Sequence, residues 1–248
     1  MNNQIIKQLQ SLKQTKYRKL HGKFLIEGKR LVKAGLDWSS SIEALFCTKS
    51  FYDNNVDTWS VFSAIDHSIL NIIDENKFKK ISSTTSPSGI AASCKILERI
   101  DLDLDQAKWI YLDRISDPGN LGTILRAAFW FNLKNIAISP ESVDPYNPKT
   151  IRAGMGAHFG LKIYNNIKLE NFINTHSIIA GANDGKNLSN FKFPEKNVIV
   201  FGNEAHGISM ENSKLIKNII TIKKLGQGES LNIASAASIL MYEITKDQ

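Results

Sequence analysis

The stretch WIYLDRISDPGNLGTILRAAFWF (residues 109–131) decides the fold that we expect, because a strand, a turn and a helix follow one another directly in it. WIYLD is apolar and β-prone, whereas the apolar residues of NLGTILRAAFWF recur at helical spacing. Between them lies the polar turn 117–120, and one arginine, Arg126, interrupts the helical pattern. The stretch therefore predicts a β-α unit whose turn carries polar side chains.

The same alternation continues from this unit to the C-terminus. Strand-like stretches alternate with helical ones, and SLNIASAASILMYEIT (230–245) reads as a long final helix. The strand-like stretches are KNIAIS, LKIYN, HSIIAGA, NVIVFG and NIITIK. Strands that alternate with helices predict a parallel sheet covered on both faces, so the fold class is α/β.

Residues 1–97 form a second alternating region, in which KFLIEG (23–28) is a short strand followed by a helix. The acidic stretch that comes next separates the two regions. We therefore expect a first domain over 1–97, a linker over 98–107 and a second domain over 108–248.

The bulk composition is that of an ordinary globular protein, with 248 residues of which 42% are hydrophobic and 22% charged. No apolar run reaches the length of a membrane helix, and the N-terminus lacks the apolar core of a secretory signal. The two cysteines, Cys47 and Cys94, form no CxxC pair, which disfavours a disulfide scaffold or a zinc site. We expect a cytoplasmic protein without a membrane segment and without a metal.

The net charge of +7 is concentrated near the N-terminus. Residues 1–33 contain nine lysines and arginines against one carboxylate, Glu27. Such a segment is typical of a protein that binds nucleic-acid phosphates, although a solvated lysine-rich helix face would look the same. The residues that we expect to bind RNA are Lys16, Arg18, Lys19, Lys23 and Arg30.

Three polar, glycine-containing stretches follow predicted strands in the second domain: DPGNLGTILR (117–126), VIVFGNEAHGIS (198–209) and ITIKKLGQGESLNIASAAS (220–238). Ligands of open α/β sheets bind beyond the carboxyl ends of strands, which is where these stretches would lie. No GxxxxGK[ST] loop is present, which excludes a P-loop ATPase. No GxGxxG follows the first strand, which argues against an oxidoreductase of Rossmann type.

Each stretch also has a purely structural interpretation. Asn120 could be a helix N-cap, and Arg126 could extend from an apolar face into solvent. Ser230 could cap the final helix, with Asn232 in its first turn. Three such turns in one α/β region favour a site over three separate coincidences.

The order and spacing of NLGTILR, FGNEAHGIS and IKKLGQGESLNIASAASILMYE resemble the three motifs of the SpoU (TrmH) family of RNA 2′-O-ribose methyltransferases, which belong to the SPOUT class. The resemblance spans residues 108 to the C-terminus. In the first domain, KYRKLHGKFLIEGKRLVKAGL and STTSPSGIAA resemble the L30e-like substrate-binding domain found in many members.

The resemblance implies a trefoil-knotted catalytic domain, S-adenosylmethionine as cofactor and a homodimer whose active site uses both protomers. The family's cofactor contacts fall on Gly202, Ile222 and Leu231. Its catalytic or substrate-binding positions fall on Asn120, Arg126, Glu204, Ser230 and Asn232. One departure is that Lys223-Lys224 stand where the family usually has a proline.

The resulting expectation is an enzyme that methylates a ribose 2′-hydroxyl in structured RNA, with ribosomal RNA favoured. Transfer RNA and a non-catalytic role in RNA binding or ribosome assembly are the alternatives. Because a guanidinium keeps its proton at neutral pH, we prefer for Arg126 a clamp on phosphate and the developing alkoxide, with a base role left open.

Overall fold

The computed structural model describes residues 2–38, 41–97 and 101–246, apart from the side chain of residue 183. Its strands are β1 (Lys23–Glu27), β2 (Ile42–Thr48), β3 (Leu70–Ile73), β4 (Ile90–Lys95), β5 (Lys108–Leu112), β6 (Asn135–Ile138), β7 (Lys162–Asn165), β8 (Ser177–Asn187), β9 (Asn197–Phe201) and β10 (Asn218–Thr221). Its α-helices are α1 (Asn3–Ser11), α2 (Thr15–His21), α3 (Lys29–Trp38), α4 (Lys49–Asn55), α5 (Val61–Ala64), α6 (Glu75–Ile81), α7 (Pro118–Trp130), α8 (Pro148–Gly154), α9 (Met210–Ser213) and α10 (Ile233–Thr245).

The chain packs as two compact units. The first unit comprises Met1–Leu97 and Tyr146–Phe159, and the second comprises Glu98–Pro145 and Gly160–Gln248. The division after Leu97 lies where the acidic stretch begins, whereas the assignment of Tyr146–Phe159 to the first unit differs from the expected second domain over 108–248.

The first unit is built on a four-stranded mixed sheet with the order β1-β4-β2-β3. β4 is antiparallel to β1 and β2, and β3 is parallel to β2. The alternating burial of β1 places Phe24 and Ile26 in the core, where they pack with Leu45 of β2 and Val32 of α3. The predicted alternation of helix and strand in this region is confirmed.

Residues 146–159 pack with the first unit because their aromatic side chains complete its core. The ring of Tyr146 lies 4.9 Å from that of Phe24, and the ring of Phe159 lies 6.3 Å from it. Gly156 approaches α3 so closely that a Cβ would lie 2.8 Å from Ala34 Cβ, and its φ of +96° also requires glycine. A second-half segment therefore supplies part of the first unit's apolar core.

The second unit contains a six-stranded sheet with the order β10-β8-β9-β5-β6-β7. All of its pairs are parallel, and β5, β6 and β9 are almost entirely buried, as expected for strands covered on both faces. The predicted parallel α/β sheet is confirmed. α7 and α10 pack against each other in this unit.

Some predicted elements differ in extent. The helix expected in ISMENSKLIKN (208–218) is limited to α9, and that expected in LENFINT (169–175) is a 3-10 turn, Leu169–Phe172. Part of the predicted acidic linker, residues 98–100, lies outside the described residues. In its remainder, Leu102 and Leu104 pack against the core of the second unit.

Candidate active site

The three glycine-containing stretches lie at one edge of the parallel sheet, after the carboxyl ends of β5, β9 and β10. β5 and β9 are neighbours, so the turn before α7 and the loop 202–209 are adjacent. Residues 222–232 of the third stretch join β10 to α10. The expected convergence of the three stretches follows from the parallel order of the strands.

The first stretch forms the start of α7, which Asp117 caps rather than Asn120. The Asp117 carboxylate accepts a hydrogen bond of 2.8 Å from the backbone nitrogen of Asn120, and Pro118 occupies the first helical position. The interpretation of Asn120 as the N-cap is therefore wrong. Because Asp117 caps the helix, the Asn120 side chain is available for contacts outside it.

Asn120 uses its side chain to join the first stretch to the second. Its Nδ2 donates a hydrogen bond of 3.0 Å to Glu204 Oε1. Ser116 donates to Glu204 Oε2 from its backbone nitrogen at 3.2 Å and from its hydroxyl at 2.9 Å, and the Asp117 nitrogen donates to Oε1 at 3.3 Å. Three donors from the turn before α7 and one from its first turn thus converge on one carboxylate.

This arrangement determines what Glu204 can do chemically. Burial raises the pKa of the Glu204 carboxyl, but hydrogen bonds from Asn120 and Ser116 lower it by more, so the pKa lies below that of an ordinary glutamate. A carboxylate offers about four acceptor positions, and the four donors use them. Glu204 is therefore suited to holding two loops together, and it is a poor proton acceptor.

Asn232 connects the third stretch to the same network. Its Nδ2 donates a hydrogen bond of 3.0 Å to Asn120 Oδ1, and its Oδ1 accepts from the backbone nitrogens of Ala234 and Ser235. Asn232 is thus the N-cap of α10, and the interpretation in which Ser230 caps this helix is wrong. Residues 112 positions apart in sequence are joined by one side-chain contact.

The second stretch folds back on itself beyond β9. Asn203 and Gly207 exchange two backbone hydrogen bonds of 2.8 and 2.9 Å. A Cβ on Gly202 would lie 2.3 Å from the backbone carbon of Gly207, a separation that no side chain tolerates. Gly202 is therefore required by the close return of the loop.

Two further residues of this edge were missed by the sequence analysis. Asn203 Nδ2 donates a hydrogen bond of 2.7 Å to the Arg114 carbonyl, and Asp113 Oδ2 accepts one of 2.7 Å from the Ser209 nitrogen. Asp113 is 1% exposed, and its Oδ1 has no hydrogen-bond donor among the described residues. The signal available in the sequence was the carboxylate of Asp113 directly after the apolar residues WIYL. Burying a carboxylate is costly unless it is paired or hydrogen-bonded, so such a position points to a specific role.

A cavity of about 650 Å³ adjoins the network. It is lined by the ends of β9 and β10, by the loops 202–208 and 222–231, and by Leu240 of α10. The three predicted cofactor contacts, Gly202, Ile222 and Leu231, all line it, as do Glu204 and Ser230. The volume is within the range of small-molecule and cofactor pockets, roughly 300–1,000 Å³.

Arg126 lies apart from these contacts. Its exposed side chain on α7 makes no hydrogen bond or ion pair with any residue that the structure describes. On an ideal helix, it lies about 9 Å along the axis from Asn120 and roughly 120° around it. Arg126 is therefore available to a ligand as far as the described residues are concerned.

The five basic residues predicted to bind RNA differ in their surroundings. Lys16, Lys19 and Arg30 are exposed, and Lys23 forms an ion pair of 2.9 Å with Glu43. Arg18 is 1% exposed, because its guanidinium donates to the Leu12 carbonyl at 2.7 Å and to the Thr15 hydroxyl at 2.8 Å. This burial argues against the predicted contact between Arg18 and RNA, and counting charges cannot tell a buried arginine from an exposed one.

The described residues contain neither a membrane-spanning helix nor a cluster of metal-ligating side chains. In residues 2–38, 41–97 and 101–246, no helix is long and apolar enough to cross a membrane. No group of three or more histidine, cysteine, aspartate or glutamate side chains in the same ranges could hold a metal ion.

Comparison with known proteins gives matches for both units. Residues 108–242 match the SpoU rRNA Methylase family, and residues 3–92 match the MRM3-like substrate binding domain. An uncharacterized tRNA/rRNA methyltransferase of Synechocystis is 29% identical over 99% of this chain and 92% of its own length. The 23S rRNA (guanosine(2553)-2′-O)-methyltransferase RlmP of Bacillus subtilis is 27% identical over 96% of this chain and 99% of its own.

Among solved structures, the AdoMet-bound rRNA methyltransferase of Sinorhizobium meliloti aligns with a TM-score of 0.82. It is 26% identical and covers 99% of this chain and 95% of its own.

Proposed function

The chain belongs to the SpoU rRNA methylase family, and we propose that it transfers a methyl group from S-adenosylmethionine to a ribose 2′-hydroxyl of ribosomal RNA. The observation that carries the proposal is the hydrogen-bonded series Glu204–Asn120–Asn232, which joins all three motifs beside one cavity.

The cavity fits the proposed cofactor. It combines apolar walls from β9, β10 and α10 with the backbone of two glycine-containing loops, which suits a ligand with an adenine ring and a polar tail. The solved relative from Sinorhizobium meliloti, named as AdoMet-bound, is consistent with this assignment. S-adenosylmethionine supplies an electrophilic methyl group on a cationic sulfur.

The residues of the chain would act mainly by positioning. Asn120 and Asn232 would hold the ribose in line with the cavity, with Ser230 at its rim, while Glu204 fixes the loops that carry them. Holding two reactants in a productive geometry lowers the barrier by at most roughly 7–11 kcal/mol. Because Glu204 is a poor proton acceptor, the proton of the 2′-hydroxyl would pass to solvent water as the oxygen–methyl bond forms and the sulfur–methyl bond breaks, and S-adenosylhomocysteine would leave.

Arg126 would act through the positive charge of its guanidinium. A guanidinium that has no partner within the described chain is able to bind an RNA phosphate and to stabilise the alkoxide that develops on the 2′-oxygen. We therefore assign Arg126 as a clamp rather than as a base.

The first unit would bind the RNA. Its match to a substrate binding domain and the exposed side chains of Lys16, Lys19 and Arg30 support this assignment. The Bacillus subtilis relative is named for 23S ribosomal RNA, so we favour ribosomal over transfer RNA.

We also propose a cytoplasmic homodimer with a trefoil knot in the second unit. Exposed aromatic side chains support self-association, because Trp130 of α7 is 83% exposed and Tyr242 of α10 is 54% exposed on neighbouring helices. Light scattering of the wild type and of Trp130→Ser tests the dimer, and a monomeric wild type at micromolar concentration would contradict it.

Methyl transfer from tritiated S-adenosylmethionine tests the function. Unmodified 23S rRNA and transfer RNA transcripts are offered separately, and the product is mapped by its resistance to alkaline cleavage at one ribose. Label in the 23S transcript alone is expected. Labelled bases, labelled transfer RNA or no label would each overturn the proposal.

A further inference from the structure

A second cavity lies wholly within the first unit and has a different chemical character. Its volume is about 470 Å³, and its walls come from the loop 82–85, from Lys13 and from the start of α8. Three of its lining residues are cationic, namely Lys13, Lys149 and Arg152, and none is a carboxylate. The loop Ser82-Ser83-Thr84-Thr85 contributes four hydroxyl groups.

Arg152 and Lys13 retain capacity to bind an anion. Arg152 Nη1 donates to the Ser83 hydroxyl at 2.7 Å, and Arg152 forms no ion pair with any carboxylate of the described ranges. Lys13 donates to the Lys80 carbonyl at 2.9 Å, which uses one of its three donors. The guanidinium has five donors, so most of them remain available to a ligand.

Glu27 fixes the loop that faces these cations. Its carboxylate accepts from the Ser82 hydroxyl at 2.6 Å, from the Ser83 nitrogen at 2.6 Å and from the Ser83 hydroxyl at 2.7 Å. Ser83 therefore donates to Glu27 while it accepts from Arg152. This series holds Arg152 in place without a direct carboxylate contact, so the cavity is preorganised and still positively charged.

We propose that this cavity, which Lys149 also lines, binds a phosphate group of the RNA backbone, with Arg152 as its principal ligand. The inference rests on the proposed function, because it assigns part of the substrate to the first unit. It also assigns a binding role to residues 149–152, which come from the sequence between the first and second motifs and not from the basic N-terminal segment.

The test measures how the affinity for an unmodified 23S rRNA transcript depends on potassium chloride concentration. We compare the full-length wild type with Arg152→Gln and Lys149→Gln, and with Arg152→Lys as the charge-conserving variant. Lys95→Gln is the matched control, because exposed Lys95 lies at the far end of β4, about 16 Å along the strand from the loop 82–89.

Each phosphate contact that is lost should lower the slope of log affinity against log salt by about one unit. We expect this change in Arg152→Gln and Lys149→Gln, recovery in Arg152→Lys and the wild-type slope in Lys95→Gln. Lys149 is exposed, so its variant remains informative if Arg152→Gln loosens the loop. Unchanged slopes in both glutamine variants would overturn the inference.

A second arm distinguishes RNA from a free anion. Thermal unfolding is followed with inorganic phosphate and with chloride at equal ionic strength. If phosphate stabilises the wild type but not Arg152→Gln while the RNA slopes are equal, the cavity holds free phosphate and the inference fails. If the slopes change as expected but no methyl is transferred, the proposed function fails and this inference stands.

Discussion

Glu204 and Arg126 are charged residues of the same proposed site, yet their surroundings are opposite. Glu204 accepts four hydrogen bonds from the turn before α7 and the first turn of that helix, whereas Arg126 has no partner among the described residues. The described part of the chain satisfies the first charge and leaves the second without a partner, which fits the proposal that Arg126 contacts the substrate.

The contrast separates two kinds of functional residue. A residue that holds the site together should affect both stability and turnover when it is changed. A residue that meets only the substrate should affect turnover alone, because folding does not depend on it.

The largest effect is expected for Arg126→Ala. Removing a charge that acts only on the reacting groups should lower methyl transfer by about 10²–10³-fold and leave S-adenosylmethionine affinity within about twofold. Single-turnover transfer and calorimetric titration measure the two quantities. The conservative control Arg126→Lys should retain part of the rate, and wild-type turnover in Arg126→Ala would disprove the assignment.

Asn120→Ala removes the residue through which Glu204 and Asn232 are joined. We expect a loss of turnover of about ten- to a hundredfold, because the loops that position the ribose are no longer aligned. Asn190→Ala is the matched control, since its exposed side chain makes no hydrogen bond to the described chain. Equal rates for the two variants would show that the network has no role in catalysis.

The same contrast exists in the first unit between Arg18 and its basic neighbours. Arg18→Gln should lower the melting temperature by about 5–10 °C, because buried hydrogen bonds to a charged group are lost. Its salt slope for RNA binding should not change. Lys16→Gln combined with Lys19→Gln should lower that slope by up to about two units at unchanged melting temperature, and the reverse pattern would refute both assignments.

Glu204→Gln should give the smallest effect, visible in stability as a function of pH. Because the folded-state pKa of Glu204 is lowered, its carboxylate stabilises the fold above the unfolded-state pKa, and this contribution is lost as pH falls through the folded-state value. The difference in melting temperature between wild type and variant should be at most about 3 °C at pH 7, since Glu204 is largely exposed. The difference should vanish in acid, and a difference that grows in acid would contradict the lowered pKa.

Much of this organisation could be predicted from the sequence, because it depends on local patterns. The apolar runs fixed the buried strands β5 and β9, and the glycine-containing stretches after them gave the edge at which the site lies. The order of the three motifs identified the residues that line the first cavity, including Gly202 and Ile222.

Contacts between distant residues could not be predicted in this way. Which residue caps a helix depends on its neighbours in space. Asp117 rather than Asn120 therefore caps α7, and Asn232 rather than Ser230 caps α10. The burial of Arg18 depends on a carbonyl at the end of α1, which no charge count detects. The packing of residues 146–159 depends on Phe24, more than a hundred positions earlier.

That packing also affects the order in which parts of the chain can fold during synthesis. On a ribosome, a unit that ended at residue 97 could close its core as soon as this residue emerged. Here Phe24 must wait for Tyr146 and Phe159, so closure comes about sixty residues later. β5, α7 and β6 have been synthesised by then. The part of the first unit's core around Phe24 is therefore completed only after more than half of the chain has been made.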